Sequence, residues 1–341
     1  MGFIQKLNKV DLDKVNRNRP PLYRVESIVW ASEGSATLDG VPIGDCQRLL
    51  YYKFMGVPET NRMPLRVQNI CDSGLMHEDH AIDDFKKLGL YVDEQIRMEH
   101  IFEGTANNVK SSGKMDVLIC EDGINKGIEI KTISSYKVAK VFGDTKNFPL
   151  PAEKNLIQAM NYKKRAMEGP VIGTDGVERQ IDEVYLMYID RGTKQRMFFK
   201  VELDNELYGI ITPIDQNGKE YETIRLQDVD SFEILKHHSS VATSDQSRLA
   251  SLRFSLHDIG AKYDSIYNYV REEFLPPKDY NMIYDDAQID LEYQIGRVSK
   301  VKYNKHYPKT TRSKFEAGGD MLCSFCNYRD KCLADDGIHL T

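Results

Sequence analysis

The sequence predicts an α/β fold, a mixed central sheet flanked by helices, and three observations predict it. Residues 114–120 and 127–133 read as two strands joined by a turn. Residues 183–189 and 194–203, β-branched and aromatic, read as further strands that extend the same sheet. Residues 75–88 and 151–168 have helical spacing and helical boundaries, which supplies the flanking layer.

Taken in chain order, Gly44 to Tyr52 reads as the start of a helix with Asp45 as its capping residue. Leu75, Ile82, Phe85 and Leu88 form the next apolar stripe, with Asp72 and Ser73 as caps, Gly89 as a stop and Cys71 just ahead of the helix. Lys114 to Cys120 is a short apolar-rich run. Asp122-Gly123 and Lys126-Gly127 supply turn chemistry after it. From Gly127 to Ile133 the side chains alternate, Ile128 and Ile130 to one side and Glu129 and Lys131 to the other. Pro151 to Glu168 forms a second helix ended by Gly169-Pro170, and Gln158 and Tyr162 share one of its faces. Residues 235–295 read as largely helical, broken at Pro276-Pro277, a decoration over the core.

With 341 residues the chain can form one large domain or two smaller ones. Its 41% hydrophobic and 29% charged residues are ordinary for a soluble globular protein. No apolar run reaches the length of a membrane span and residues 1–20 lack a signal-peptide stretch, so a cytoplasmic location without membrane contact is expected. The net charge of −6 does not advertise a nucleic-acid binder. Basic clusters nevertheless occur at Lys163-Lys164-Arg165 and from Arg297 to Lys314, each by itself readable as a solvated face.

The chemistry concentrates in Asp116, twelve intervening residues, then Glu129-Ile130-Lys131. Strand alternation points Glu129 and Lys131 the same way, and a hairpin would bring Asp116 to them. Two carboxylates can hold a divalent cation and a neighbouring lysine can steer a water, a minimal set for metal-assisted phosphodiester cleavage.

Three of the six cysteines, Cys323, Cys326 and Cys332, form Cys-x2-Cys-x5-Cys. Thiolates so spaced bind zinc or an iron–sulfur cluster. For zinc, His339 or His306 would complete the set. For a cubane, a distant Cys46 or Cys71 would. Cys120, in a strand, reads as a small core residue.

These pieces resemble the RecB-type nucleases of the PD-(D/E)xK superfamily, in the branch that carries an iron–sulfur cluster. CRISPR-associated exonucleases and the nuclease domains of recombination helicases belong to that branch. The resemblance runs from about residue 28 to 332. It rests on Cys46-Gln47-Arg48 with Tyr51-Tyr52, Gly74-Leu75-Met76-His77-Glu78, Gly113 to Asp116, Glu129 to Lys131, Gln158 with Tyr162, and the C-terminal cysteines.

The resemblance implies a restriction-endonuclease-like core with an iron–sulfur subdomain joining the two chain ends. The corresponding division is an extension at 1–27, a first cluster segment at 28–73, the nuclease core at 74–234, the decoration at 235–300 and a second cluster segment at 301–341. It implies a [4Fe-4S] cluster on Cys46, Cys323, Cys326 and Cys332, and a Mg²⁺ or Mn²⁺ on His77, Asp116, Glu129 and the carbonyl of Ile130. Lys131 would position the attacking water, Gln158 and Tyr162 would face the active site, and Glu78 and Glu94 are the carboxylates for a second metal. The implied partner is DNA, single-stranded or at duplex ends, in repair or recombination, alone or beside a helicase or a recombination or CRISPR-type complex. Three other readings stay open: a zinc-bearing nuclease of the same core, a non-catalytic nucleic-acid-binding or assembly protein on this fold, and an RNA-directed nuclease.

Overall fold

The computed structural model describes residues 27–61, 65–144, 147–229, 245–282, 284–294, 300–306, 321–324 and 326–337. The N-terminal extension up to residue 26, most of the basic stretch 297–314, His339 and the side chain of His306 lie outside the described residues.

The strands are β1 (Ile28–Trp30), β2 (Ser35–Leu38), β3 (Val41–Gly44), β4 (Tyr91–Ile101), β5 (Lys110–Glu121), β6 (Ile124–Ile133), β7 (Val171–Ile172), β8 (Glu178–Arg179), β9 (Glu183–Asp190), β10 (Arg196–Leu203), β11 (Gly209–Asp215) and β12 (Ile224–Arg225). Five helices matter here: α1 (Gln47–Phe54), α2 (Leu65–Lys87), α3 (Glu153–Met167), α4 (Leu256–Arg271) and α5 (Arg329–Asp335). Among the described residues eight strands form one mixed sheet, ordered β1-β5-β6-β9-β10-β11-β12, with β4 on the far edge of β5. β1 runs parallel to β5 and β6 parallel to β9; the other pairs are antiparallel. The predicted α/β architecture of a mixed central sheet and flanking helices is present.

β5 and β6 form the expected hairpin. Its two-residue turn is Asp122-Gly123, with φ of +52° and +81°, the mirror-image geometry that matches strand twist. Lys126-Gly127, expected as a turn, lies instead inside β6. A Cβ at Gly127 would stand 2.3 Å from the Met115 sulfur, so this glycine makes room for a core side chain.

Helix α2 departs from its prediction. It starts at Leu65, so Asp72 and Ser73 lie in its interior rather than capping it, and Cys71 sits within it, exposed. It runs unbroken through residues 73 and 74, where the sequence division placed a boundary. Leu75 is 60% exposed and Leu88 68%, whereas Ala81, Ile82 and Phe85 are buried against Val117, Ile128, Ile130 and Met187 of the sheet. Gly89, at φ +71°, ends the helix as expected. Helix α1 starts one residue later than expected: Cys46 is its N-cap, and Asp45 forms an ion pair with Lys154 at 2.8 Å.

Helix α4, within the segment expected as a decoration, packs into the main core. A complete capping box between Ser255 and Asp258 fixes its start. Leu256, Ile259, Tyr263, Ile266, Tyr267 and Val270 then line one face and enter the same core as Leu50 and Phe54 of α1 and Ile157 of α3. Phe54 and Tyr267 stack with ring centroids 4.8 Å apart. Among the described residues no helix is long and apolar enough to cross a membrane.

Candidate functional site

The edge of β5 changes partner. It pairs with β1 over residues 110–112 and with β6 over 117–121, leaving 113–116 between the two. On its other edge the β4 ladder steps from Ile96↔Met115 to Glu94↔Val117, past Gln95 at φ +55°. Asp116 therefore sits at an interruption of both ladders. Met115 and Val117, two residues apart, enter different core clusters, so side-chain alternation breaks at this point while the register with β4 is kept.

The freed carboxylate turns toward β6. Asp116 Oδ2 accepts the Ile130 N–H at 2.6 Å. Glu129 is 1% exposed; its Oε1 accepts from Lys131 Nζ at 2.5 Å, while its Oε2 is buried with no hydrogen-bond partner. The Lys131 side chain keeps 27% exposure, so the group is reached from outside along the lysine. The expected approach of Asp116, Glu129 and Lys131 is present in these contacts, and Ile130 takes part through its N–H, bound to Asp116, rather than through the carbonyl expected as a metal ligand.

The helix α2 contribution is different from the expected one. Glu78 lies within the electrostatic reach of the group: burial first, then the Asp116 charge, pushes its carboxyl up to about 7. Gln95 Nε2 donates to Glu78 Oε1 at 3.3 Å. Burial, partly offset by Lys131, pushes Glu129 up to about 8, and burial also raises Asp116. Burial alone would lower Lys131, but Glu129 and Asp116 more than compensate, and its ammonium is held. Glu94 instead pairs with Lys86 at 3.5 Å.

His77 is not brought to the carboxylates. It lines a separate cavity of about 370 Å³ with His80, Asp84, Lys194 and Arg196. Burial and the charges of Lys194, His80 and Arg191 lower its pKa. Among the described residues no three His, Cys, Asp or Glu side chains are gathered closely enough to form a metal-ion group.

Gln158 and Tyr162 do reach the site. Gln158 Nε2 donates to the Tyr162 hydroxyl at 3.0 Å, and that hydroxyl donates to the Lys114 carbonyl at 2.9 Å, two residues before Asp116. Burial and then the Glu129 charge push the Tyr162 phenol well up, so it stays protonated as a donor. Gly113 is the counterpart of this contact: a Cβ there would stand 2.6 Å from the Tyr162 hydroxyl oxygen and 2.9 Å from Ala31 Cβ. Gly113→Ala is expected to displace Tyr162 and cost about 1–3 kcal/mol, the usual penalty of overpacking, measurable by urea denaturation. The basic triplet is already engaged: Lys163 with the Asp182 carbonyl, Lys164 with Glu103, and Arg165 with the Gly169 and Pro170 carbonyls.

A second candidate site lies at the junction of the chain ends. Cys46, Cys323, Cys326 and Cys332 all line one cavity of about 190 Å³, walled by Leu49 and Leu333. None of the six cysteines forms a disulfide. The four thiols face a shared space without closing on one point. The Tyr328 N–H donates to Cys326 Sγ at 3.4 Å and Arg48 Nη1 to Cys332 Sγ at 3.6 Å. Burial pushes the Cys326 thiol up to about 11 and raises Cys46. Sequence reasoning missed Asp279 beside Cys46, held by Lys262 at 3.0 Å and the Gln47 N–H at 2.7 Å. More than two hundred residues separate these partners, and no local signal links them.

Compared with known proteins, the chain matches no family model, no curated protein and no solved structure.

Proposed function

We propose that this protein is a divalent-metal-dependent nuclease that hydrolyses phosphodiester bonds of DNA, acting on single strands or at duplex ends. The reading rests above all on Glu129 Oε2, a buried carboxylate oxygen with no partner, beside Asp116 and the raised carboxyl of Glu78. A buried acceptor left unmatched is costly, and the charges of Asp116, Glu129 and Glu78 disfavour one another's ionisation. A hard cation relieves both, and oxygen ligands suit Mg²⁺ or Mn²⁺. Asp116, Glu129 and Glu78 are the residues proposed to hold it, with Glu78 in place of His77.

Bound there, the cation would acidify a water and polarise the phosphoryl oxygen. The chain supplies the rest. Lys131, an ammonium with one side in solvent, orients the attacking water and offsets charge on the phosphoryl oxygens. Tyr162 and Gln158 fix the β5 backbone ahead of Asp116, so the carboxylate keeps its bond to Ile130. The resemblance to iron–sulfur RecB-type nucleases belongs to the same proposal. Within it, the cavity at Cys46, Cys323, Cys326 and Cys332 holds a structural [4Fe-4S] cluster and the enzyme works alone or beside a helicase-type partner.

A pH dependence follows. Glu129 is raised from near 4.5 to about 8 and Glu78 to about 7, so the folded cation-free protein keeps protons that the unfolded chain releases. Its stability therefore falls as pH rises from near 4.5 toward 8. Thermal melts are expected to show a lower Tm at the upper end of this window, and a larger Tm gain from Mn²⁺ there. The function itself is tested with end-labelled linear DNA, closed circular DNA and RNA, each incubated with protein and Mn²⁺. Loss of label from linear DNA alone supports an end-directed deoxyribonuclease; intact DNA of every form refutes the proposal.

A further inference from the structure

We propose that Arg48 is the positioning residue of the cysteine cavity: it fixes Cys332 and sets the charge balance of the cluster held there. The inference rests on reading that cavity as an iron–sulfur site.

Arg48 is 8% exposed, and three of its bonds reach distant parts of the chain. Its Nε donates to the Pro276 carbonyl at 3.0 Å, and its Nη1 to Asp336 Oδ1 at 2.7 Å and to Cys332 Sγ at 3.6 Å. One guanidinium thus joins α1, the segment after α4 and the end of α5. A planar fork suits this task; a lysine ammonium, a point donor, cannot span all three acceptors. The first-turn position of Arg48 in α1, two residues after Cys46, ties both cysteine-bearing ends to one rigid element.

The electrostatic consequence has a definite sign. Four thiolates around a [4Fe-4S] core leave the assembly anionic, and one-electron reduction makes it more so. A buried cation touching a ligand sulfur favours the reduced form and raises the reduction potential. Asp336 works against this, since its carboxylate shares Nη1 of Arg48 with the sulfur and also binds Lys278 at 2.5 Å. The two neighbours should therefore tune the cluster in opposite directions.

The test uses full-length protein purified without oxygen, with iron content, redox titration followed by electron paramagnetic resonance, and iron release to a chelator. Arg48→Gln is expected to lower the reduction potential and weaken iron retention about 10–100-fold, the usual cost of losing an outer-sphere donor. Arg48→Lys should restore the potential more than the retention. Asp336→Asn should raise the potential, and it decides the matter if Arg48→Gln does not fold. Unchanged potentials in both variants, or shifts of the same sign, overturn the inference. Wild-type protein without iron overturns the cluster reading beneath it, a separate outcome.

Discussion

Glu129→Gln is expected to reduce DNA hydrolysis by about 10²–10³-fold or more while leaving the cation-free protein at least as stable as wild type. The two effects have one cause. Glu129 is fully enclosed, and one of its oxygens has no partner. As a carboxylate it is costly to fold and suited to a cation; as a neutral amide of the same shape it loses both properties. The amide also dissolves the ion pair with Lys131, which frees the lysine to move. Asp116→Asn should match the loss in rate, since the Asp116 carboxylate is the neighbouring oxygen donor and holds the Ile130 N–H. Equal loss in the single variants and in the double variant would mark the pair as one functional unit. Steady-state rates and equilibrium unfolding of the same preparations measure both halves.

The second large effect is at the chain ends. Cys46→Ala is expected to yield colourless protein, with stability lower by about 3–5 kcal/mol, the scale of a lost long-loop crosslink. The bracing is visible in the residues around the cavity. Asn61 Nδ2 donates to Asp330 at 2.9 Å, Tyr52 donates to Asp335 at 2.7 Å, and the N–H groups of Thr60 and Asn61 both donate to the Asn327 carbonyl. These bonds join residues 52–61 to 327–335 and would be loosened together. Visible absorption, iron assay and thermal unfolding check the variant against wild type.

What could be read in the sequence was local. The hairpin followed from its turn residues, and the shared face of Glu129 and Lys131 from strict alternation in β6. The reach of Asp116 toward Ile130 did not: it depends on where β5 changes partner from β1 to β6, opposite Gln95 of β4. Helix α2 was legible as a helix, with Ile82 and Phe85 on its buried face, but not in its extent. Leu75 and Leu88, counted in the apolar stripe, are exposed, and the buried face is Ala81, Ile82 and Phe85. Adjacent helical side chains diverge by about 100°, so His77 and Glu78 face different surroundings: His77 lines the cavity with His80 and Arg196, and Glu78 bonds Gln95. Residues 256–271 were legible only as part of a largely helical segment, because the packing of α4 on α1 and β2 is a contact across two hundred residues. For the cysteines, spacing singled out the C-terminal three. The approach of Cys46 needs the β2–β3 hairpin and α1 folded over them, which no spacing encodes.

The central claim is that Glu78, Asp116 and Glu129 hold a divalent cation that Lys131 helps to use against a phosphodiester. It is tested most directly by single-turnover cleavage of end-labelled DNA across a Mn²⁺ titration, wild type beside Glu129→Gln. The account predicts saturable, Mn²⁺-dependent cleavage by wild type and a loss of about 10²–10³-fold in the variant at every concentration. Cleavage that persists in the variant, or folded wild-type protein that leaves DNA intact at saturating Mn²⁺, would contradict it.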